Sequence, residues 1–214
     1  MIIHISFDLD GTLINSIPLM KASWENVCKE LDLKIGWSVY REYIGLPFDK
    51  ICENLEIVNL KSEVKEIYFQ FNKRNIGLIE PMPGFQDCCN WLKKEKIEWS
   101  IITSKPKFTA CEIVDRFDLN PNILITCDDT LAGKPSTAPA QLLRSQLDKN
   151  QRAFYYVGDT LIDHLFSVNA GFKYIEFNDK NNIILNRELY KKINKFICNE
   201  KLIIENLNEI KDLI

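Results

Sequence analysis

Short apolar runs recur along the chain at 2–8, 97–103, 122–126, 153–158 and 173–177. They are of strand length, and the stretches between the later ones, around 84–95, 107–117, 136–147 and 160–170, carry a helical period instead. Phe85, Cys88, Cys89 and Leu92 form an i, i+3, i+4, i+7 stripe suited to covering a sheet. Strands alternating with helices predict βαβ units and a parallel sheet with helices on both faces. The expected fold class is therefore α/β. Residues 16–79 break the pattern: no good strand is visible there, but helical stripes are. Met20, Trp24, Val27, Cys28 and Leu31 fit one helix, Val64, Ile67, Tyr68 and Phe71 another, and shorter helices fit 36–43 and 48–55.

A βα connection normally takes only a few residues, so some sixty residues of helix after the first strand read as an insertion. Both joints carry proline, as Ser16-Ile17-Pro18 going in and Glu80-Pro81-Met82-Pro83-Gly84 coming back. Such joints mark boundaries or hinges, although proline in a turn is often only a turn. The expected organisation is a core of residues 1–15 plus 80–214 and an inserted helical domain of 16–79.

Composition narrows the class without naming a function. Apolar residues make up 46% and charged residues 27% of the 214, as in ordinary soluble proteins. A formal net charge of −3 gives no reason to expect nucleic acid or a polybasic membrane surface. No apolar run approaches membrane-spanning length, and the first strand leaves no room for a signal peptide, so the expected location is the cytoplasm. Seven cysteines without a C-x-x-C pair suit neither a disulfide framework nor a structural zinc site; they read as small buried apolar residues. The two histidines are poor candidates. His4 lies about 13 Å behind Asp8 if the strand is extended, and His164 adjoins Asp163 on a helix, where sequence neighbours diverge.

Candidate chemistry concentrates at strand ends, outside which α/β sheets bind ligands. The first run, Ile2-Ile3-His4-Ile5-Ser6-Phe7, ends in Asp8-Leu9-Asp10-Gly11. If the strand continued, Asp8 and Asp10 would point to one side roughly 6–7 Å apart. Two convergent carboxylates invite a divalent cation, which frees one to act as nucleophile and the other to move protons. Asp-Gly after an apolar run is also a common turn. Further on, Thr103-Ser104-Lys105 offers a hydroxyl and a backbone amide, Gly133-Lys134-Pro135 a lysine in a turn, and Asp159 with Asp163 two more carboxylates. Each has a bland alternative: Thr103 a helix cap, Lys134 a solvated loop lysine, Asp159 and Asp163 a cap and a first-turn acid. Their convergence on one sheet edge favours chemistry. Carboxylates, a hydroxyl and a lysine around a hard metal suit magnesium and phosphoryl transfer.

These segments resemble the four motifs of the haloacid dehalogenase superfamily, in its phosphoglycolate phosphatase-like branch with a helical cap. Phe7-Asp8-Leu9-Asp10-Gly11-Thr12-Leu13 resembles the first, Ile101-Ile102-Thr103-Ser104-Lys105-Pro106 the second, Gly133-Lys134-Pro135 the third, and Val157-Gly158-Asp159-Thr160-Leu161-Ile162-Asp163 the fourth. The resemblance implies a Rossmann-like core, and a cap at 16–79. It implies Asp8 as nucleophile and metal ligand, and Asp10 as acid and base whose backbone carbonyl also binds Mg2+. Thr103, Ser104 and Lys134 would be phosphate-binding, Asp159 a direct metal ligand and Asp163 one acting through water or a neighbour. The implied partner is a small phosphorylated metabolite, phosphoglycolate first by resemblance and then a sugar phosphate, a nucleotide or pyrophosphate, and the implied state a monomer or weak dimer.

Three positions depart from the branch: Asn15 where it often has aspartate, Ser104 where it often has asparagine, and a displaced second proline at Pro139. None removes a catalytic group. A phosphosugar mutase of the β-phosphoglucomutase type shares the core and cap but needs a cation on the cap, where this chain has Phe48, with Lys50 and Arg41 nearby. A phospho-receiver module has neither a general acid after its nucleophile nor a cap, and a dehalogenase needs no metal site. The tail after Phe177 is rich in asparagine and lysine and suggests no function.

Overall fold

In the computed structural model, which describes residues 2–148, 150–178 and 202–214, the apolar runs become strands and the amphipathic stretches helices. The strands are β1 (Ile2–Phe7), β2 (Ile14–Asn15), β3 (Glu80–Pro81), β4 (Glu98–Ile102), β5 (Ile123–Ile125), β6 (Arg152–Gly158), β7 (Lys173–Phe177) and β8 (Leu202–Ile204). The α-helices are α1 (Ile17–Glu30), α2 (Trp37–Tyr40), α3 (Phe48–Asn54), α4 (Lys61–Arg74), α5 (Phe85–Lys94), α6 (Lys107–Arg116), α7 (Ala138–Gln146) and α8 (Leu161–Ala170). Six strands form one parallel sheet in the order β5-β4-β1-β6-β7-β8. β1 sits centrally, with Phe7 level with Ile101 of β4 and Val157 of β6. That register carries the ends of β1, β4 and β6 to a common edge.

Alternation along the strands feeds two cores. Ile5, Phe7, Ile101 and Val157 face a layer made by α5, α6 and the C-terminal 3₁₀ turn Leu207–Asp212. Ile102 and Tyr156 face the other way, onto Ala140 and Leu143 of α7 and Phe166 of α8. A polar file is buried within the sheet. His4 Nε2 lies 3.0 Å from Ser100 Oγ, which lies 2.8 Å from Ser6 Oγ. The two histidines are buried structural residues, His164 stacking on Tyr174 at 4.7 Å.

The tail contributes more than its composition suggests. β8 pairs with β7 and completes the sheet, and Leu207 and Ile210 enter the main core, with Leu207 N donating to Pro83 O at 2.9 Å. Three residues are too few to show a strand period, so this element was invisible in the sequence. Cys28, Cys52, Cys88, Cys89, Cys111 and Cys127 are free thiols, but only Cys52 and Cys88 are fully buried; the expectation of burial holds for those two and is too strong for the others. Cys198 lies outside the described residues.

Between β2 and β3 the described chain is helical. α1 packs on α4, and Trp24, Val27, Tyr40, Phe48, Ile51 and Tyr68 form a hydrophobic cluster of their own. Trp24 stacks on Tyr40 with centroids 4.5 Å apart. The sequence showed no strand at the joints, yet β2 and β3 form a two-stranded antiparallel pair, Ile14 opposite Pro81 and Asn15 opposite Glu80. The outgoing and returning chains are thus tied together next to the sheet edge.

Candidate active site

β1 stops at Phe7, so strand alternation does not carry through to Asp10 as the sequence suggested. Asp8 N still donates to Val157 O at 2.9 Å, and the chain then folds back, with Gly11 N donating to Ile14 O at 2.8 Å. Gly11 has φ +84, and a Cβ there would lie 2.2 Å from Asp159 Oδ2. The turn needs glycine both for its left-handed backbone and for the approach of the Asp159 carboxylate. Asp8 and Asp10 share a cleft but hold different partners.

Lys134 is the hub of the buried side. Its Nζ donates to Asp8 Oδ1 at 2.8 Å, to Asp163 Oδ1 at 2.6 Å and to the Tyr156 hydroxyl at 2.9 Å. Its side chain is 1% exposed, which excludes a solvated loop lysine. The Tyr156 hydroxyl donates to Ile102 O at 2.9 Å, fixing the group that receives Lys134. Asp163 is held at both oxygens, since Oδ2 accepts from Thr160 N at 3.0 Å and from the Thr160 hydroxyl. Thr160 and Asp163 together form a capping box at the start of α8. The bland alternative of a first-turn acid is therefore true of Asp163 as well, and the same contact aims its free side at Lys134.

Asp8, Asp159 and Asp163 each offer an oxygen within 4.8 Å of the others. Asp159 is steadied by Thr12, whose hydroxyl donates to Oδ1 at 2.9 Å. Burial pushes the Asp8 carboxyl up to about 7, with Lys134 pulling against it and Asp163 and Asp10 adding to it. Burial likewise pushes Asp159 well above the carboxylate range, with Asp163 and Asp8 contributing. Burial opposes the charge on Lys134, but Asp163 and Asp8 outweigh it and raise its pKa. One ammonium facing three carboxylates leaves the cluster short of positive charge. Oxygen donors in a site that lacks cation charge fit a hard divalent ion such as magnesium.

The cleft side is built by Asp10, Thr103, Ser104 and Lys105. Thr103 N donates to Ile125 O at 2.9 Å, which holds the hydroxyl at the end of β4. Lys105 N donates to Thr103 Oγ1 at 3.1 Å, and Lys105 Nζ pairs with Asp10 Oδ2 at 3.1 Å. Asp10 Oδ1 and Ser104 Oγ are buried with no hydrogen-bond partner, and both residues line the cleft. Buried polar atoms are nearly always satisfied, so two orphans at one opening mark where a polar ligand belongs.

The cleft lies between this edge and the helical segment. Its far wall comprises Met20, Ile44, Leu46, Phe48, Ile51 and Phe69, with Tyr40 and Tyr68 alongside. The turn before α3 rests on the sheet edge, Gly45 against Thr160 and Pro47 against Gly133. Burial, the neighbouring Tyr68 phenol and the negative charge of Asp10 keep the Tyr40 phenol well above its ordinary range. Of the cap residues singled out in the sequence, Phe48 lines the cleft. Lys50 does not: it is exposed and pairs with Glu53 at 2.6 Å.

All seven sequence candidates thus meet at one edge, Asp8, Asp159, Asp163 and Lys134 in one cluster, Asp10, Thr103 and Ser104 along the cleft beside it. Sequence reasoning gave no role to Tyr156, Thr12, Thr160 or Lys105. A hydroxyl-bearing side chain inside the apolar run of β6 was the available signal for Tyr156; Thr12, Thr160 and Lys105 sat unremarked inside quoted motifs.

The haloacid dehalogenase-like hydrolase profile matches residues 5–177. Pyrophosphatase PpaX of Halalkalibacterium halodurans is 28% identical over 174 residues, covering 78% of this chain and 79% of its own. Phosphoglycolate phosphatase of Pseudomonas fluorescens is 27% identical over 183 residues, covering 79% of this chain and 66% of its own. A solved chain from Bacteroides fragilis superposes with a TM-score of 0.82 at 18% identity, covering 98% of this chain and 100% of that one.

Proposed function

The chain belongs to the haloacid dehalogenase-like hydrolase family, and from that premise we propose that it is a magnesium-dependent phosphatase that hydrolyses a small phosphomonoester through an aspartyl-phosphate on Asp8. The observation that carries this reading is the Lys134 hub. It holds one oxygen of Asp8 at 2.8 Å and leaves the other free at a strand end, beside a second carboxylate with an orphaned oxygen.

The free Asp8 oxygen attacks phosphorus while the bond from phosphorus to the leaving oxygen breaks, and Asp10 gives that oxygen its proton. In the second step Asp10, now ionised, takes a proton from water. The water oxygen attacks phosphorus, the bond to Asp8 breaks, and inorganic phosphate leaves. The Thr103 and Ser104 hydroxyls hold the phosphoryl oxygens, so charge that develops there meets fixed donors, while Lys134, its three N–H spent on Asp8, Asp163 and Tyr156, offsets charge around Asp8. Asp8, Asp159 and the Asp10 backbone carbonyl, with Asp163 behind them, would hold magnesium, which would supply neutralisation of the phosphoryl charge.

The helical segment 16–79 acts as the cap, excluding water and choosing the leaving group. The mutase alternative needs a cation on that segment facing the core. Among the described residues lining the cleft the cap offers none, which favours the phosphatase. No helix among the described residues is long and apolar enough to cross a membrane.

The test is hydrolysis of a panel of phosphomonoesters by purified protein, with magnesium and after chelation. Phosphate release that stops on chelation and returns with magnesium is expected. Release indifferent to complete metal removal overturns the mechanism.

A further inference from the structure

The two walls of the cleft differ in charge, and that difference limits what the leaving group can be. Lys134 is already committed to Asp8 and Asp163 at 2.8 and 2.6 Å. Lys105, the other cation at the opening, is matched by Asp10 at 3.1 Å. Opposite them, Met20, Ile44, Leu46, Phe48, Ile51 and Phe69 carry no charge. Three lysines of the cap pair elsewhere, Lys50 with Glu53, and Lys61 and Lys65 with Asp49 at 3.3 and 3.5 Å, and no lysine or arginine of the cap is among the residues lining the cleft. Phe48 packs against Tyr68 and Phe69 with ring centroids 4.9 and 5.1 Å away, so the wall is an aromatic surface with defined shape.

A leaving group with its own phosphate or carboxylate would be stripped of water against that wall, which presents no cation to receive it. A ring or branched hydrocarbon there would instead bury apolar surface. We propose that the substrate is the phosphomonoester of an uncharged, largely apolar alcohol of about ring size, its hydrocarbon seated on Phe48 and Phe69. The inference rests on the phosphatase reading for its chemistry, and it departs from a second anionic group of the kind carried by pyrophosphate or phosphoglycolate.

Binding and turnover separate the two readings. Titration calorimetry of the magnesium-loaded protein would compare benzylphosphonate with phosphonoacetate, which share the phosphonate and differ in the appended group. The expected result is at least about tenfold tighter binding of benzylphosphonate. Phe48→Arg is expected to invert that order, and Phe48→Ala to weaken benzylphosphonate alone. Equal affinities, tighter phosphonoacetate, or no binding of either overturns the proposal. In parallel, kcat/KM is measured for benzyl phosphate, phosphoglycolate and pyrophosphate. Benzyl phosphate ahead by about tenfold supports the proposal, and either anionic substrate ahead overturns it with the phosphatase reading intact. Hydrolysis of none of the three, with the binding preference present, removes the phosphatase reading and leaves the apolar subsite standing.

Discussion

On the floor of the cleft, Lys134 donates to Asp8, Asp163 and Tyr156, and the last two are held in turn, Tyr156 by Ile102 O and Asp163 by Thr160. On the roof, Phe48, Phe69 and Ile44 meet the same space with carbon alone. The floor is directional, because each buried polar atom must find its partner at a set distance and losing one partner strands the other. The roof is not. Apolar packing tolerates exchange of one shape for another at modest cost, so the roof can change its ligand without dismantling the site. If the floor carries the proposed reaction and the roof the proposed selectivity, the two are separable in this chain, and substitutions on the two sides should fail differently.

Asp8→Asn should break the floor most completely. The amide keeps the shape but is a far poorer nucleophile, so turnover should vanish while circular dichroism and melting remain near wild type. Asp10→Asn should lower kcat by roughly 10²–10⁴-fold, the range for general acid–base help. Near wild-type turnover in either folded, metal-loaded variant would remove the assigned roles.

Lys134→Met should show the floor failing as structure. It keeps the aliphatic stem but leaves Asp8 and Asp163 without their cation, and breaking a buried charge pair costs about 3–5 kcal/mol. Urea unfolding of the metal-free protein measures this; a loss below about 1 kcal/mol, the level of an exposed pair, would deny Lys134 the hub role.

A smaller effect lies deeper in the sheet. Burial lowers His4 to about 4 from an ordinary 6.5, with Glu98 opposing and Arg152 assisting. Its neutral form is the one folded into the Ser100 contact. The unfolded chain takes up its proton first, so this contribution to stability is full above pH 6.5. It falls as pH drops from 6.5 to about 4 and changes no further below that. The whole span corresponds to about 3 kcal/mol. Unfolding midpoints against pH for wild type and His4→Gln should diverge across that window; parallel curves would contradict it.

The smallest effect belongs to the roof. Phe69 of α4 meets Phe108 of α6 edge-on at 5.1 Å, a contact between the helical segment and the core layer. Such pairs contribute about 0.5–1.5 kcal/mol beyond their buried area. Phe108→Ala should loosen closure, raising KM up to about tenfold with little change in melting. Solution scattering with and without a metal fluoride should show the segment moving about the β2–β3 joint. A KM unaffected by the substitution would leave the pair without a part in closure.

Much of this was legible beforehand because the relevant signals are local. Period-two runs, period-3.6 stripes and the proline joints each span fewer than about 15 residues, and they were enough to place β1, β4, β6 and the helices over them. Asp8, Thr103 and Asp159 could be read as edge residues because each directly follows such a run. Elements without local weight escaped. β2 and β3 are two residues each, β8 three, and their reality comes from hydrogen bonds to partners distant in sequence.

By itself the sequence determined the order of strands and helices and the chemistry collected at one sheet edge, since side-chain alternation and helix stripes follow from backbone geometry within a few residues. Only the tertiary structure decided that Asp10 turns from the acidic cluster to Lys105, that Lys134 is shared between Asp8 and Asp163, and that Lys50 faces away while Phe48 faces in. The physical reason is reach. Lys134 stands 126 residues from Asp8 and 29 from Asp163, and a contact over such separations exists only once the sheet register and the packing of the helical segment have brought both ends together.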